Sequence, residues 1–200
     1  MMKVGITGGI GSGKTTVCRI FESIGIPVYY SDHRAKLLMY KNVVLKAAIK
    51  ALLGPDSYHK NGRPNRGNIA KKIFADKALL KGINELVHPA VREDHINWHQ
   101  QQKSPYTINE AALLVENGSY KDLDKLIVVT APQQIRLARV LARDKTSEKA
   151  VLERMSNQLP ESAKVAVANY VIDNSGDNSL IKQVWKTHNM LLRAANRKVK

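Results

Sequence analysis

The chain has 200 residues, 44% of them hydrophobic, and a formal net charge of +15 from 32 Lys and Arg against 17 Asp and Glu. That length accommodates one well-buried domain with a small inserted subdomain, and no apolar run reaches the roughly 18 residues of a membrane span. The start shows no signal-peptide core, and one cysteine, Cys18, excludes an internal disulfide, so a cytoplasmic protein is expected.

The positive charge is compatible with nucleic acid, an anionic surface or a polyanionic small substrate. Its carriers are scattered (Lys46, Lys50, Arg63, Lys71, Arg136, Arg143), and two Trp and two Phe are a thin supply of stacking surface. No nucleic-acid partner and no membrane association are expected.

In chain order, Lys3–Thr7 reads as a buried strand and Lys14–Ser23 as a helix closed by Gly25. Ile26–Tyr30 is a second strand, with Ser31-Asp32 opening a helix over about His33–Tyr40. Val43–Leu53 has helical period, and Gly54–Asn68 is a turn-rich loop. Ile69–Gln102 reads as several helices broken near Val87–Val91, where Pro89 would fix a turn. Tyr106–Glu116 and Lys125–Ala131 are expected strands, followed by a helix over Pro132–Leu141 and a charged, partly helical stretch over Arg143–Gln158. A last strand at Asn169–Gly176 precedes a terminal helix from Asn178 to Arg197.

Short β-branched strands separated by helices predict an α/β, three-layer α/β/α domain on a parallel five-stranded sheet. The long helical stretch after the second strand is too large for one crossover and reads as an insertion. The expected boundaries are a core of 1–31, 104–142 and 160–200, a helical domain of 32–103 and a segment of 143–159.

"GITGGIGSGKTT", Gly5–Thr16, contains Gly8-x4-Gly13-Lys14-Thr15 between a strand and a helix. This is the pattern of a phosphate-binding P-loop. Glycines let successive N–H groups turn inward and leave no Cβ in the way of phosphate oxygens. The following helix adds its N-terminal dipole. Gly8, Gly9, Ile10, Gly11, Ser12, Gly13, Lys14, Thr15 and Thr16 are therefore the expected nucleotide-binding residues. Lys14 would reach the β- and γ-phosphates of ATP, and Thr15 would offer its hydroxyl to Mg²⁺. The absence of N-K-x-D argues against a guanine-specific GTPase, and a small P-loop chain with a helical insertion suggests a small-molecule kinase.

Asp32 follows the second strand, and in a parallel sheet the carboxyl ends of neighbouring strands open on one crevice. It could accept a proton from an acceptor hydroxyl or orient it, or it could cap the next helix. Arg139 and Arg143, four residues apart, share a helix face suited to developing phosphoryl charge; the alternative is a solvated face pairing with Asp144 or Glu148.

"GIPVYYSDHRAK", "VHPAV", "ALLVENG", "RVLARDKTSEKAVLERMSNQ" and "NYVIDNSG", added to the glycine loop, resemble the dephospho-CoA kinase family in order and spacing over nearly the whole chain. The resemblance implies transfer of phosphate from ATP to the ribose 3′-hydroxyl of dephospho-CoA, the last step of coenzyme A synthesis. It also implies a P-loop core, a helical substrate domain and a mobile lid at 143–159. By position, Asp32 matches the family's acid for the acceptor hydroxyl, Arg139 and Arg143 its lid arginines, and Asn174 its asparagine near adenine. Family members usually show Asp-x-Asp where this chain has Tyr30-Ser31-Asp32, and Pro where it has Ala112.

Glu110 falls where many members carry an acid, able to hold Mg²⁺ through water or simply to end a strand. Arg154 and Gln158 also match, and Glu116 matches a strand-end acid. His88 is a candidate for the substrate's ribose or phosphate, or for a buried hydrogen bond. Lys71, with Lys72 and Arg66, is a candidate for the substrate diphosphate, or for a solvated face. Rival readings are another P-loop metabolite kinase and a basic nucleic-acid-associated ATP-binding module, whose affinity would fall steeply with salt. Nothing in the pattern fixes an oligomeric state.

Overall fold

The computed structural model describes residues 1–198; residues 199 and 200, which close the expected core segment 160–200, lie outside the described residues. Two compact units emerge: Met1–Tyr30 with the chain from Gln102 onward, and Ser31–Gln101.

The first unit is built on β1 (Met2–Thr7), β2 (Val28–Tyr30), β3 (Tyr106–Glu110), β4 (Lys125–Thr130) and β5 (Tyr170–Asp173). They form one sheet in the order β2-β3-β1-β4-β5, with every pair parallel. The three central strands are largely buried on both faces, and β4, with Leu126–Val129 apolar throughout, reads as a near-continuous apolar run rather than an alternating one.

Alternation divides the core within β4. Ile127 and Val129 join Val4, Ile6, Ile108 and Ile172 under α1 (Lys14–Ser23) and the terminal helix α9 (Leu180–Lys198); Leu126 and Val128 face a smaller cluster with Leu114. Each fully buried aliphatic contributes about 1.5–3 kcal/mol. The remaining helices of this unit are α6 (Gln133–Asp144), α7 (Glu148–Ser156) and α8 (Glu161–Ala166), which, numbered in chain order, leave α2 to α5 for the second unit.

That second unit contains α2 (Ser31–Lys41), α3 (Val43–Leu53), α4 (Arg66–Ala75) and α5 (Lys77–Gln100). Leu45, Ile49 and Leu53, spaced four apart on α3, pack with Tyr58, Ile69 and Ile83. The helices begin where side-chain acceptors are available: Asn42 caps α3, Asn65 caps α4 and Asp76 caps α5. Arg34 clamps α2 to α5 through both oxygens of Asp94, at 2.7 and 2.5 Å.

Two expectations need correction. The helical run is not broken at Val87–Val91: α5 passes through Pro89. The proline removes an N–H donor at a cost of about 3 kcal/mol, but α5 packs on α2, α3 and α4, and the true break is at the Asp76 cap. The third strand ends at Glu110, not Glu116; the apolar run Ala111–Val115 belongs to a turn whose Leu114 enters the smaller cluster. Helix α8, which carries no strong period, was not expected at all.

Beneath α9, Tyr106 Oη lies 2.6 Å from His188 Nδ1. Burial keeps the phenol protonated far above its ordinary range, so its O–H donates and Nδ1 accepts. Burial also holds the His188 imidazole below its ordinary 6.5. As the pH falls below about 6.5, the unfolded chain takes up a proton that the folded one refuses, so stability declines until the folded imidazole itself protonates. Thermal unfolding between pH 7.5 and 5 is expected to show this slope, and His188→Gln to lose part of it. An unchanged slope in that variant assigns the effect to other groups.

Candidate active site

The strand order reverses beside β1: the chain leaves β1 toward β2 on one side of the sheet, and leaves β3 toward β4 on the other. Ligands of open α/β sheets lie at the carboxyl ends of strands at such a point. The glycine loop occupies it. Gly8 (φ 155), Gly11 (φ 80) and Gly13 (φ 91) carry the chain from β1 into α1.

Gly9 and Gly11 are also sites of close approach. A Cβ on Gly9 would overlap the Arg136 guanidinium, and one on Gly11 would overlap the backbone carbonyl of Arg136. The first turns of α6 therefore pack directly on the loop, and Arg136 Nε donates to Ala131 O at 3.0 Å to hold that side chain in place.

Gly13 is the N-cap of α1 with no side-chain cap, so the positive end of that helix's dipole faces the loop, where an anion is favoured. Lys14 Nζ donates to Gly8 O at 2.9 Å and Gly9 O at 3.4 Å, which folds the ammonium back over the loop. Thr15 and Thr16 are exposed on the first turn. Asn174 Nδ2 donates to Ser12 O at 2.8 Å and Arg139 Nη2 donates to Asn174 O at 2.9 Å. Ile10 N–H donates to Gln158 Oε1 at 2.7 Å. Two polar atoms here, Ser12 Oγ and Arg139 Nη1, are buried without a hydrogen-bond partner.

Glu110 ends β3 in register with Ile6 and Tyr30 and is buried. Its charge reaches into the core: burial first, then the Glu110 and Glu22 carboxylates, push the Cys18 thiol far up, with Lys14 opposing. Cys18 is thus an inert core residue. Glu110 and Thr15 supply hard oxygen donors, and no cluster of three His, Cys, Asp or Glu suited to a metal exists among the described residues. That combination fits Mg²⁺, which keeps its waters and binds through one or two protein oxygens plus substrate phosphates.

The two arginines expected to serve a lid part company. Arg139 lies under the loop, whereas Arg143 pairs with its neighbour Asp144 at 2.7 Å, and Arg154 reaches the same carboxylate at 3.0 Å. The bond from Arg143 leads in holding the Asp144 carboxyl below its usual range. Lys145 then ends α6 in the left-handed region at φ 49, the one non-glycine among the described residues to do so.

Asp32, Lys71 and His88 belong to the second unit. Asp32 is the second residue of α2 and exposed; since α2 starts at Ser31, Asp32 lies inside the helix rather than at its cap. Lys71 is exposed on α4 and His88 on α5, which removes the buried-hydrogen-bond alternative for His88. Lys72 is committed to structure, donating to Leu53 O and Asp56. Tyr30, in place of an acid, donates its O–H to Glu22 Oε2 at 2.9 Å.

Three features escaped the sequence. Arg136 was one scattered cation among many, Gln158 had a match without a chemical role, and Lys164 drew no reading but is buried against Glu116 at 2.6 Å. Only Arg136, three residues before Arg139 on the same helix, left a usable signal.

A family model described as dephospho-CoA kinase matches residues 2–179. The dephospho-CoA kinase of Porphyromonas gingivalis is 39% identical over 185 residues, covering 92% of this chain and 91% of its own. That of Chlorobaculum tepidum is 38% identical over 197 residues, covering 94% of each. A solved protein from Thermus thermophilus has a TM-score of 0.86 at 32% identity, covering 94% of this chain and 96% of its own. Shikimate kinase from Acinetobacter baumannii, at 14% identity and a TM-score of 0.50 over 97% of this chain and 94% of its own, shares the fold.

Proposed function

This chain belongs to the dephospho-CoA kinase family: it transfers a phosphoryl group from ATP to the ribose 3′-hydroxyl of dephospho-CoA, and we propose that the glycine loop, Asp32 and the α6 arginines divide that work. The observation that carries the assignment of the donor end is the loop itself, with Lys14 drawn over it and the positive end of α1 beyond it. The loop amides and Lys14 would hold the ATP phosphates, and Asn174, tied to Ser12 O, would border the adenine. Thr15 and Glu110 would hold Mg²⁺, which when bound offsets phosphate charge. Asp32, separated from the end of β2 by Ser31 alone, would accept the proton of the attacking hydroxyl. Lys71 and His88 would meet the acceptor's phosphates and ribose.

Residues 143–159 act as the lid in this reading. Arg143 exchanges Asp144 for phosphoryl oxygens when both substrates are bound, and Arg139 supports the loop from beneath. A guanidinium brought in only then limits wasteful hydrolysis. The excess positive charge serves two polyanionic substrates and no nucleic acid, in the cytoplasm. No described helix is long and apolar enough to cross a membrane.

Purified enzyme with ATP, Mg²⁺ and dephospho-CoA is expected to yield CoA, identified by mass, while shikimate is left untouched. ATP binding without CoA formation would retain the donor site and overturn the acceptor.

A further inference from the structure

The connection between α7 and α8 carries two bonds that phosphoryl transfer leaves unused. Gln158 Oε1 accepts the N–H of Ile10, 148 positions earlier in the chain. The next N–H, that of Leu159, donates to Glu116 Oε1 at 3.2 Å. Lys164 Nζ lies 2.6 Å from the same oxygen as an ion pair, with the lysine side chain 1% exposed and the glutamate 14%, although the ammonium makes no hydrogen bond. A buried ion pair is weak evidence for stability; what it does supply is a fixed geometry. Here it ties the turn after β3 to α8 and pins Leu159 between them.

Ile10 sits between Gly9 and Gly11, and glycines on both sides leave its peptide groups many accessible orientations. A P-loop binds phosphate only when its amides point inward together. One side-chain acceptor, held from outside the loop, selects among those orientations.

We infer that Gln158 is a positioning residue for the phosphate loop, fixing the Ile10 peptide before nucleotide arrives, and that the buried Glu116–Lys164 pair holds Gln158 at the right place. The inference rests on the kinase reading only in taking the nucleotide to be the loop's ligand. One net hydrogen bond shifts a conformational equilibrium by about two- to tenfold, so the effect is expected in that range.

The test uses the full chain without acceptor: hydrogen exchange at the Ile10 amide, and ATP affinity by calorimetry. Gln158→Ala is expected to speed Ile10 exchange and weaken ATP binding by about two- to tenfold. Gln158→Glu, which keeps an acceptor oxygen, is expected to restore exchange protection at Ile10; a role in bulk packing alone would not track the acceptor this way. The paired variant Glu116→Gln with Lys164→Met, free of any orphaned buried charge, is expected to loosen Ile10 as Gln158→Ala does. Wild-type exchange and ATP affinity in Gln158→Ala overturn the inference. Loosening in Gln158→Ala but not in the paired variant overturns the part assigned to Glu116 and Lys164. Wild-type enzyme that binds ATP but forms no CoA sinks the acceptor reading instead, since neither measurement here requires turnover.

Discussion

Asp32→Asn is expected to fold normally, bind ATP with wild-type affinity and form CoA about 10²–10⁴-fold more slowly, the range for losing a positioned general base. The amide keeps the size and hydrogen-bonding capacity of the carboxylate but takes up no proton at neutral pH, so the loss should appear in kcat with little change in KM for either substrate. One observation favours the upper part of the range, and another keeps the measurement clean. The preceding acid common in the family is Tyr30 here, and its hydroxyl is already donated to Glu22, so it offers no second base. Asp32 is exposed in the first turn of α2, so its charge stabilises that helix by only about 0.3–1 kcal/mol, and unfolding will not masquerade as lost catalysis. Circular dichroism with quenched-flow product formation separates the two. Activity within threefold of wild type in a folded Asp32→Asn removes the residue from proton transfer.

The legible parts of the structure were those whose physics is local. A glycine loop between a strand and a helix has few other uses, and β4 announces itself as a continuous apolar run, Leu126–Val129, because both faces of the sheet are covered. Where local and tertiary preferences conflict, the sequence misleads. Pro89 argues for a break, yet three helices hold α5 together around it; Ala111–Val115 looks like strand, yet its carbonyls turn back, Leu113 O accepting from Asn117 N–H and Val115 O from Gly118 N–H, while Leu114 packs into the smaller cluster. The glycine loop was legible from its own spacing, whereas the hydrogen bonds and packing that brace it were not. Arg136, Asn174 and Gln158 come from 120 or more positions away, and no spacing rule connects them to Gly9, Ser12 or Ile10. Lys164 is the extreme case: it stands between Ala163 and Val165, but a lysine is almost never fully buried unless it is paired, and its partner Glu116 lies 48 positions earlier.

Lys14→Met is expected to lower kcat/KM for ATP by about 10³-fold, as removal of a preorganised cation from a phosphoryl-transfer site does. Methionine preserves most of the side chain's length and removes only the charge and its donors. Two consequences then combine. The ammonium that should follow charge onto the departing phosphate is gone, and so are its bonds to Gly8 O and Gly9 O, which in the free enzyme draw the loop closed over its own backbone. The first affects the transition state and the second the nucleotide-free loop, so kcat and ATP affinity both fall, with kcat falling further. Lys14→Arg distinguishes charge from shape. A compact ammonium bridges two backbone oxygens at 2.9 and 3.4 Å; a planar guanidinium is bulkier and presents its donors in a rigid fork, and the space is already bounded by Arg136 against Gly9. Arginine is therefore expected to recover ATP binding only in part and to leave kcat near the methionine level. Turnover restored to within tenfold by arginine would mean that the site needs positive charge alone. Turnover within tenfold in Lys14→Met itself would place the catalytic cation elsewhere, with Arg143 the next side chain to replace.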